Sequence, residues 1–419
     1  MPKLIITGGR RLSGTVEISG AKNAVLPIMT ATILSSGVHV LHNIPDLIDV
    51  STMSRLLETF GAKVNREGDS LIINTEALSY AEAPYELVAA MRASVLALGP
   101  MLTRYGMAKI ALPGGCRIGA RPINLHLLAL EKMGAKISLQ EGYVVAKADK
   151  LKGTDIFFET PTVTGTENIM MAAVFAEGIT RLNNSAMEPE VKDLADALNT
   201  MGAKIKGGGE GLIEIEGVAR LNPLNYRVIP DRIETGTFIS IAGATNSDIL
   251  IKKCEIRHLD AVIDKMKEVG LTFKVETDGL RVIGPERLKS ANIKTLPYPG
   301  FPTDMQAQFM VLMALADGIS IIKETIFENR FMHVPELQRM GACIDTDINT
   351  ATVKGINKLT GVPVVATDIR ASASLIVAGL AAEGTTIIDK IFHIDRGYDK
   401  IENKISMLGG DIKRDMESN

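Results

Sequence analysis

The chain has 419 residues, enough for two or more domains with ample core. Its formal net charge of −3 argues against a nucleic-acid binder, although local basic pockets stay open to it. No uncharged apolar run reaches the length of a bilayer span, and the N-terminus has no signal-peptide layout; three cysteines and six scattered histidines suit a reducing cytoplasm with no structural metal.

Taken in order, the chain repeats itself. The short apolar segment Leu4-Ile5-Ile6 is soon interrupted by Gly8, Gly9, Arg10 and Arg11. A phrase then appears as Phe60-Gly61-Ala62-Lys63-Val64 and returns as Met133-Gly134-Ala135-Lys136-Ile137 and Met201-Gly202-Ala203-Lys204-Ile205. Val269-Gly270-Leu271, Met340-Gly341-Ala342-Cys343-Ile344 and Leu408-Gly409-Gly410-Asp411-Ile412 complete the series. The six glycines lie between 68 and 73 residues apart, so six units account for the whole chain. Each phrase follows an amphipathic helix, as in Leu194-Ala195-Asp196-Ala197-Leu198, and glycine just past its last turn is the expected stop. Each phrase then runs into an alternating strand, such as Ala203-Lys204-Ile205-Lys206.

Upstream of each amphipathic helix lies a second, more apolar one. These helices start near Asn23, Ala93, Ile169, Phe238, Met305 and Ser372, and five of the six are closed by a glycine: Gly37, Gly106, Gly178, Gly318 and Gly384. Small and apolar residues lie almost all round them, which predicts burial. The expected fold is α/β, with repeats of two helices plus about four strands, buried helices inside and sheets outside.

The polar residues of interest gather at the starts of the buried helices: Lys22-Asn23, Arg92, Thr166-Glu167-Asn168, Arg232 with Glu234, Asp304 and Arg370. Charge is costly in the middle of a buried helix, whereas the free amides and dipole at its N-terminus form an anion site. If the helices are arranged alike, Lys22, Arg92, Arg121, Arg370 and Arg396 can meet an anion-rich substrate. Asp304 reads from spacing alone as a helix cap, with a carboxylate base as the other reading, its basicity raised by partial burial. His126, His333 and His393 read as structural or solvated. The stretch Leu112-Pro113-Gly114-Gly115-Cys116-Arg117-Ile118-Gly119-Ala120-Arg121-Pro122 combines three glycines with a thiol close to two arginines. Fixed positive charge lowers a thiol pKa toward neutrality, so the stretch reads as a catalytic lid.

Several motifs resemble one family along the full length of the chain. They are Ser19-Gly20-Ala21-Lys22-Asn23-Ala24, Met91-Arg92-Ala93-Ser94, the Cys116 loop, and Pro230-Asp231-Arg232-Ile233-Glu234-Thr235-Gly236-Thr237. Further on come Phe301-Pro302-Thr303-Asp304-Met305-Gln306, Glu328-Asn329-Arg330-Phe331-Met332, Thr367-Asp368-Ile369-Arg370-Ala371-Ser372 and His393-Ile394-Asp395-Arg396-Gly397-Tyr398. The chain resembles the UDP-N-acetylglucosamine 1-carboxyvinyltransferases, the enolpyruvyl transferases of bacterial cell-wall synthesis. That resemblance implies two inside-out α/β domains of three repeats each: residues 21–229, and 1–20 combined with 230–419. It implies transfer of the enolpyruvyl group of phosphoenolpyruvate to the 3'-hydroxyl of UDP-N-acetylglucosamine in the cytoplasm, without a cofactor. Cys116 would be the proton donor and the target of the epoxide fosfomycin, and Asp304 would be the base. Lys22, Arg121 and Arg396 would hold the phosphate, with Arg92 and Arg370 in the same cationic cleft. Asn23 and Asp304 would orient the sugar. The nucleotide would lie along Arg121, Pro122, Ile123, Asn124 and Leu125, with Thr162, Val163, Ile326 and Arg330 also on the substrate side.

The sequence departs from the family in the nucleotide half. Asn124 stands where members often carry aspartate. Thr162-Val163-Thr164-Gly165-Thr166 replaces Ser-Val-Gly-Ala-Thr, and Leu96 stands where some members have tryptophan. Two other readings therefore remain: an enolpyruvyl transferase with a different acceptor, and a nucleotide-sugar-binding regulatory paralogue.

Overall fold

The computed structural model describes residues 2–79, 82–112 and 123–416. Cys116, Arg117, Arg121 and Pro122, and with them the expected lid, lie outside the described residues. The described chain divides into two compact units, each with its own apolar core. One takes in residues 20–112 and 123–229, the other 2–19 and 230–416.

The repeat seen in the sequence is a small sheet. In the 20–229 unit, Asn225–Arg227 runs parallel to Val38–His42, which pairs antiparallel with Ser70–Asn74 and through it with Lys63–Glu67. The third repeat follows the same order, with Asp155–Phe157, Ile179–Asn183, Leu212–Glu216 and Lys204–Lys206. The second keeps three strands, and the parallel fourth shrinks to a bridge between Ala83 and Ile110. The other unit has three four-stranded sheets on the same plan. Two of them use strands from the start of the chain. Ser13–Glu17 is the parallel strand beside Asp248–Lys252, and Lys3–Thr7 lies between Thr385–Asp389 and Asp411–Asp415. The N-terminal segment thus fills places that the fourth and sixth repeats leave open.

The more apolar helices are buried, as their composition predicts. Every residue of Gln306–Ala314 is buried, and so are residues 370–380 of Ile369–Ala381. Their ends follow the backbone chemistry of glycine. All five closing glycines have positive φ, between 71° and 134°. In the fourth repeat, where glycine is missing, Asn246 takes the left-handed conformation at φ 49°. Asparagine is among the few other residues that adopt it readily.

Candidate active site

In the unit holding residues 230–416, three buried helices present their N-termini to one another. Asp231 caps Arg232–Ala244 by accepting from the amides of Ile233 (2.7 Å) and Glu234 (3.0 Å). Asp368 caps Ile369–Ala381 in the same way, through Arg370 (2.8 Å) and Ala371 (3.1 Å). Asp304 does not behave like them, and the cap reading is corrected here. Its short turn, Thr303–Met305, has no side-chain cap. The carboxylate instead accepts from Arg330 Nη2 at 2.7 Å on one oxygen and from Arg370 Nη2 at 2.8 Å on the other. Both arginine side chains are nearly sealed from solvent, at 5% and 6% exposure, while a quarter of the Asp304 side chain remains open. Charge-assisted bonds to two guanidiniums outweigh what free amides offer.

This geometry also reverses the expected pKa. Burial pushes the Asp304 carboxyl up, but the adjacent Arg370 and Arg330 outweigh it and hold it well below the usual carboxylate range. Arg370 stays charged: burial works against it, and Asp304, Tyr398 and Asp231 more than compensate.

The surroundings lock this triad. The Tyr398 hydroxyl lies 2.9 Å from Thr237 Oγ1 and accepts from Arg370 Nη1 at 3.4 Å and Gln308 Nε2 at 3.5 Å. It joins all three helices. Glu324, 1% exposed, accepts from the hydroxyls of Thr303 and Thr295 and from the amides of Ile326 and Phe327. One carboxylate thereby ties the turn of Asp304 to the segment of Ile326. Nothing in the sequence singles out Glu324, because its partners are brought together only by folding. Arg396 is half-buried just after the short helix Phe392–Asp395. His333 is buried and its pKa is lowered to about 4, chiefly by burial, which keeps it neutral.

The 20–229 unit arranges its candidates differently. Lys22 opens the helix Lys22–Ala31, followed by Asn23, and its ammonium lies 3.4 Å from the buried carboxylate of Asp49. Arg92 opens the 3-10 stretch Arg92–Ala97. Ile123 is buried, and the exposed Asn124 and half-buried Leu125 begin the helix Asn124–Lys132. Thr162 caps Val163–Ala173, its hydroxyl accepting from the Gly165 amide at 3.3 Å. That amide is therefore engaged with the cap.

His126 connects these starts. Its Nδ1 lies 2.9 Å from Asn168 Nδ2 and its Nε2 lies 3.4 Å from Thr164 Oγ1. Asn168 in turn accepts from the Gly99 amide and donates to the Val95 carbonyl. Burial, with Arg92 adding to it, lowers the His126 pKa to about 4. The imidazole is neutral, so Nδ1 accepts from Asn168 while Nε2–H donates to Thr164. The structural reading of His126 holds. Its partner Asn168 stood among the polar residues at helix starts and Thr164 in the altered Thr162–Thr166 segment, but nothing in the sequence joined them to His126, and Asp49 carried no distinguishing mark.

Of the five cations expected around one substrate, Lys22 and Arg92 fall in one unit and Arg370 and Arg396 in the other, while Arg121 lies outside the described residues. The described sites already offer fixed guanidiniums, an ionised carboxylate and helix N-termini, the equipment for handling anions.

Comparison with known proteins decides the lineage. The family pattern of EPSP synthase (3-phosphoshikimate 1-carboxyvinyltransferase) matches residues 6–405. The chain belongs to this carboxyvinyltransferase family. A UDP-N-acetylglucosamine 1-carboxyvinyltransferase of Thermodesulfovibrio yellowstonii is 59% identical over 416 residues, covering 99% of this chain and 100% of that protein. One from Geotalea uraniireducens is 55% identical over the full length of both. Among solved structures, the enolpyruvyl transferase NikO from Streptomyces tendae superposes with a TM-score of 0.89 at 25% identity, covering 99% and 98% of the two chains. EPSP synthase from Acinetobacter baumannii shares the fold, with a TM-score of 0.78 at 18% identity, over 99% and 100%. The chain is thus a transferase with the inside-out α/β fold of the enolpyruvyl transferases. Among the described residues, no helix is long and apolar enough to cross a membrane.

Proposed function

We propose that this chain transfers the enolpyruvyl group of phosphoenolpyruvate to the 3'-hydroxyl of UDP-N-acetylglucosamine, releasing phosphate, in the cytoplasmic opening of peptidoglycan synthesis. Relatives at 53–59% identity carry the corresponding name, and one structural observation supports the chemistry: Asp304 sits ionised between Arg330 and Arg370. The reaction adds the sugar oxygen to C2 of the enol phosphate and a proton to C3. It then removes a C3 proton and breaks the C2–O bond to phosphate. That sequence needs a base at the hydroxyl, an acid at the methylene carbon and cations for the phosphate.

In this reading Asp304 accepts the hydroxyl proton and Cys116 delivers the proton to C3. Clamped by two guanidiniums, Asp304 is a weak base. Phosphoenolpyruvate brings its own carboxylate and phosphate, which compete for those arginines. As they bind, the hold on Asp304 loosens and its basicity rises, so the base is strengthened only with substrate in place. Lys22, Arg121 and Arg396 take the phosphate, with Arg92 alongside. Asn23 orients the sugar, while Ile123, Asn124, Leu125, Thr162, Val163 and Ile326 line the nucleotide.

Phosphate release from phosphoenolpyruvate, measured with and without UDP-N-acetylglucosamine, tests this. Release that requires both substrates is expected, together with alkylation of Cys116 by fosfomycin that a Cys116→Asp variant escapes. Absence of release with Cys116 still labelled would favour the second reading, a different acceptor. The altered Thr162–Thr166 segment, with its Gly165 amide turned to Thr162, is the observation behind that reading.

A further inference from the structure

The edge strand Asp411–Asp415 breaks its own pattern. In a strand, alternate residues share a face, and Ile412 is buried against the core. Arg414 shares that face: it pairs with Leu4 across the ladder as Ile412 pairs with Ile6, and both Leu4 and Ile6 are fully buried. An arginine thus stands where alternation calls for an apolar residue.

Two carboxylates meet it there. Arg414 forks onto Asp395 through Nη1 (2.9 Å) and Nη2 (2.6 Å), and its Nε donates to Glu402 at 2.7 Å. Asp395 ends the helix Phe392–Asp395 and Glu402 lies in the first turn of Ile401–Met407. The turn between them carries Arg396. Its other side is pinned as well. Tyr398 reaches the cluster of helix N-termini, and Gly397 packs so closely that a Cβ there would lie 2.4 Å from Cγ2 of Ile369, next to Arg370.

We propose that Arg414 is a positioning residue for phosphate recognition. By bracketing the turn at both ends it sets the direction of Arg396. By neutralising Asp395 it stops the neighbouring carboxylate from competing with the substrate's phosphate. This rests on the reading of Arg396 as a phosphate anchor. A planar fork can hold two carboxylates at fixed angles, whereas a lysine ammonium holds a point.

The decisive variant is Arg414→Lys, which keeps the charge and removes the fork. It should raise KM for phosphoenolpyruvate about tenfold and weaken inhibition by inorganic phosphate in parallel, with KM for UDP-N-acetylglucosamine unchanged. An inward-facing arginine on an edge strand can also serve only to block strand pairing. In that case Arg414→Lys would lower Tm or solubility and leave both KM values alone, which overturns the proposal. Arg396→Met, run beside it, separates the two levels. If Arg396→Met leaves KM for phosphoenolpyruvate unchanged, the anchor reading fails. If it raises that KM and Arg414→Lys does not, only the positioning role fails.

Discussion

The two units solve the same problem, joining the N-termini of buried helices, with opposite chemistry. Around Asp304 the joints are charged, with one carboxylate between two arginines and a tyrosine hydroxyl behind. Around His126 they are neutral, with an imidazole, an amide and a hydroxyl in sequence. Ion pairs can be taken over by an anionic substrate, because the substrate offers the arginines what Asp304 offers them. Neutral hydrogen bonds, such as those of the His126 joint, give an anion much less to exchange with. Under the proposed function, the charged cluster would serve the changing charges of catalysis and the neutral one a fixed surface for a nucleotide.

Removing the centre of the charged cluster should break the comparison most severely. Asp304→Asn should lower kcat by about 10²–10⁴-fold, as expected for loss of a general base, measured as phosphate release. It also removes the carboxylate that two buried guanidiniums share, so thermal unfolding should show a loss of about 3–5 kcal/mol. A variant with unaltered turnover would remove Asp304 from the chemistry.

The neutral cluster should show itself through acid, in the same range as the buried His333 of the other unit, and a His126 variant isolates its share. In the folded chain His126 titrates at about 4, against 6.5 for an ordinary histidine. The unfolded chain therefore binds more protons between those values, and the stability that His126 contributes is complete above pH 6.5 and lost as pH falls through 4. The loss is on the order of 3 kcal/mol. His126→Asn should flatten this part of the pH–stability curve in denaturant titrations, and an unchanged slope would show that His126 is not its source.

Glu324→Gln sharpens the comparison from within the charged unit. With its single amide oxygen facing Thr295, Ile326 and Phe327, the glutamine turns an NH2 donor toward Thr303, so the tie to the Asp304 turn should weaken and KM for UDP-N-acetylglucosamine should rise about three- to tenfold. Equal effects on both substrates would mean that Glu324 only supports the fold. The smallest effect belongs to Thr162→Ala, which removes one helix cap and should lower stability by about 1 kcal/mol in chemical denaturation.

Much of the architecture was legible in the chain itself. Evenly spaced Gly61, Gly134, Gly202, Gly270, Gly341 and Gly409 announce six repeats because a left-handed helix stop nearly demands glycine, and all six have positive φ. The buried helices were legible from composition, since few polar residues interrupt them. Local patterns carried less at the sites. Asp231 and Glu234 have the spacing of a capping box, yet the Glu234 carboxylate turns away to the Ser19 amide and to Lys404 Nζ, at 2.8 and 2.6 Å. Asp304 read as a cap from spacing, yet its carboxylate is held by Arg330 and Arg370.

By itself, then, the sequence determined what depends on neighbours along the chain: the repeats, the helix stops, the alternation of strands and the identity of the residues at each helix start. Only the tertiary structure decided which charges meet. Arg330 and Arg370 lie 26 and 66 residues from Asp304, and Asn168 lies 42 from His126. No local propensity acts over such separations. The folded core brings these groups together in a medium of low dielectric, where a guanidinium beside a carboxylate decides its protonation and a histidine without one stays neutral.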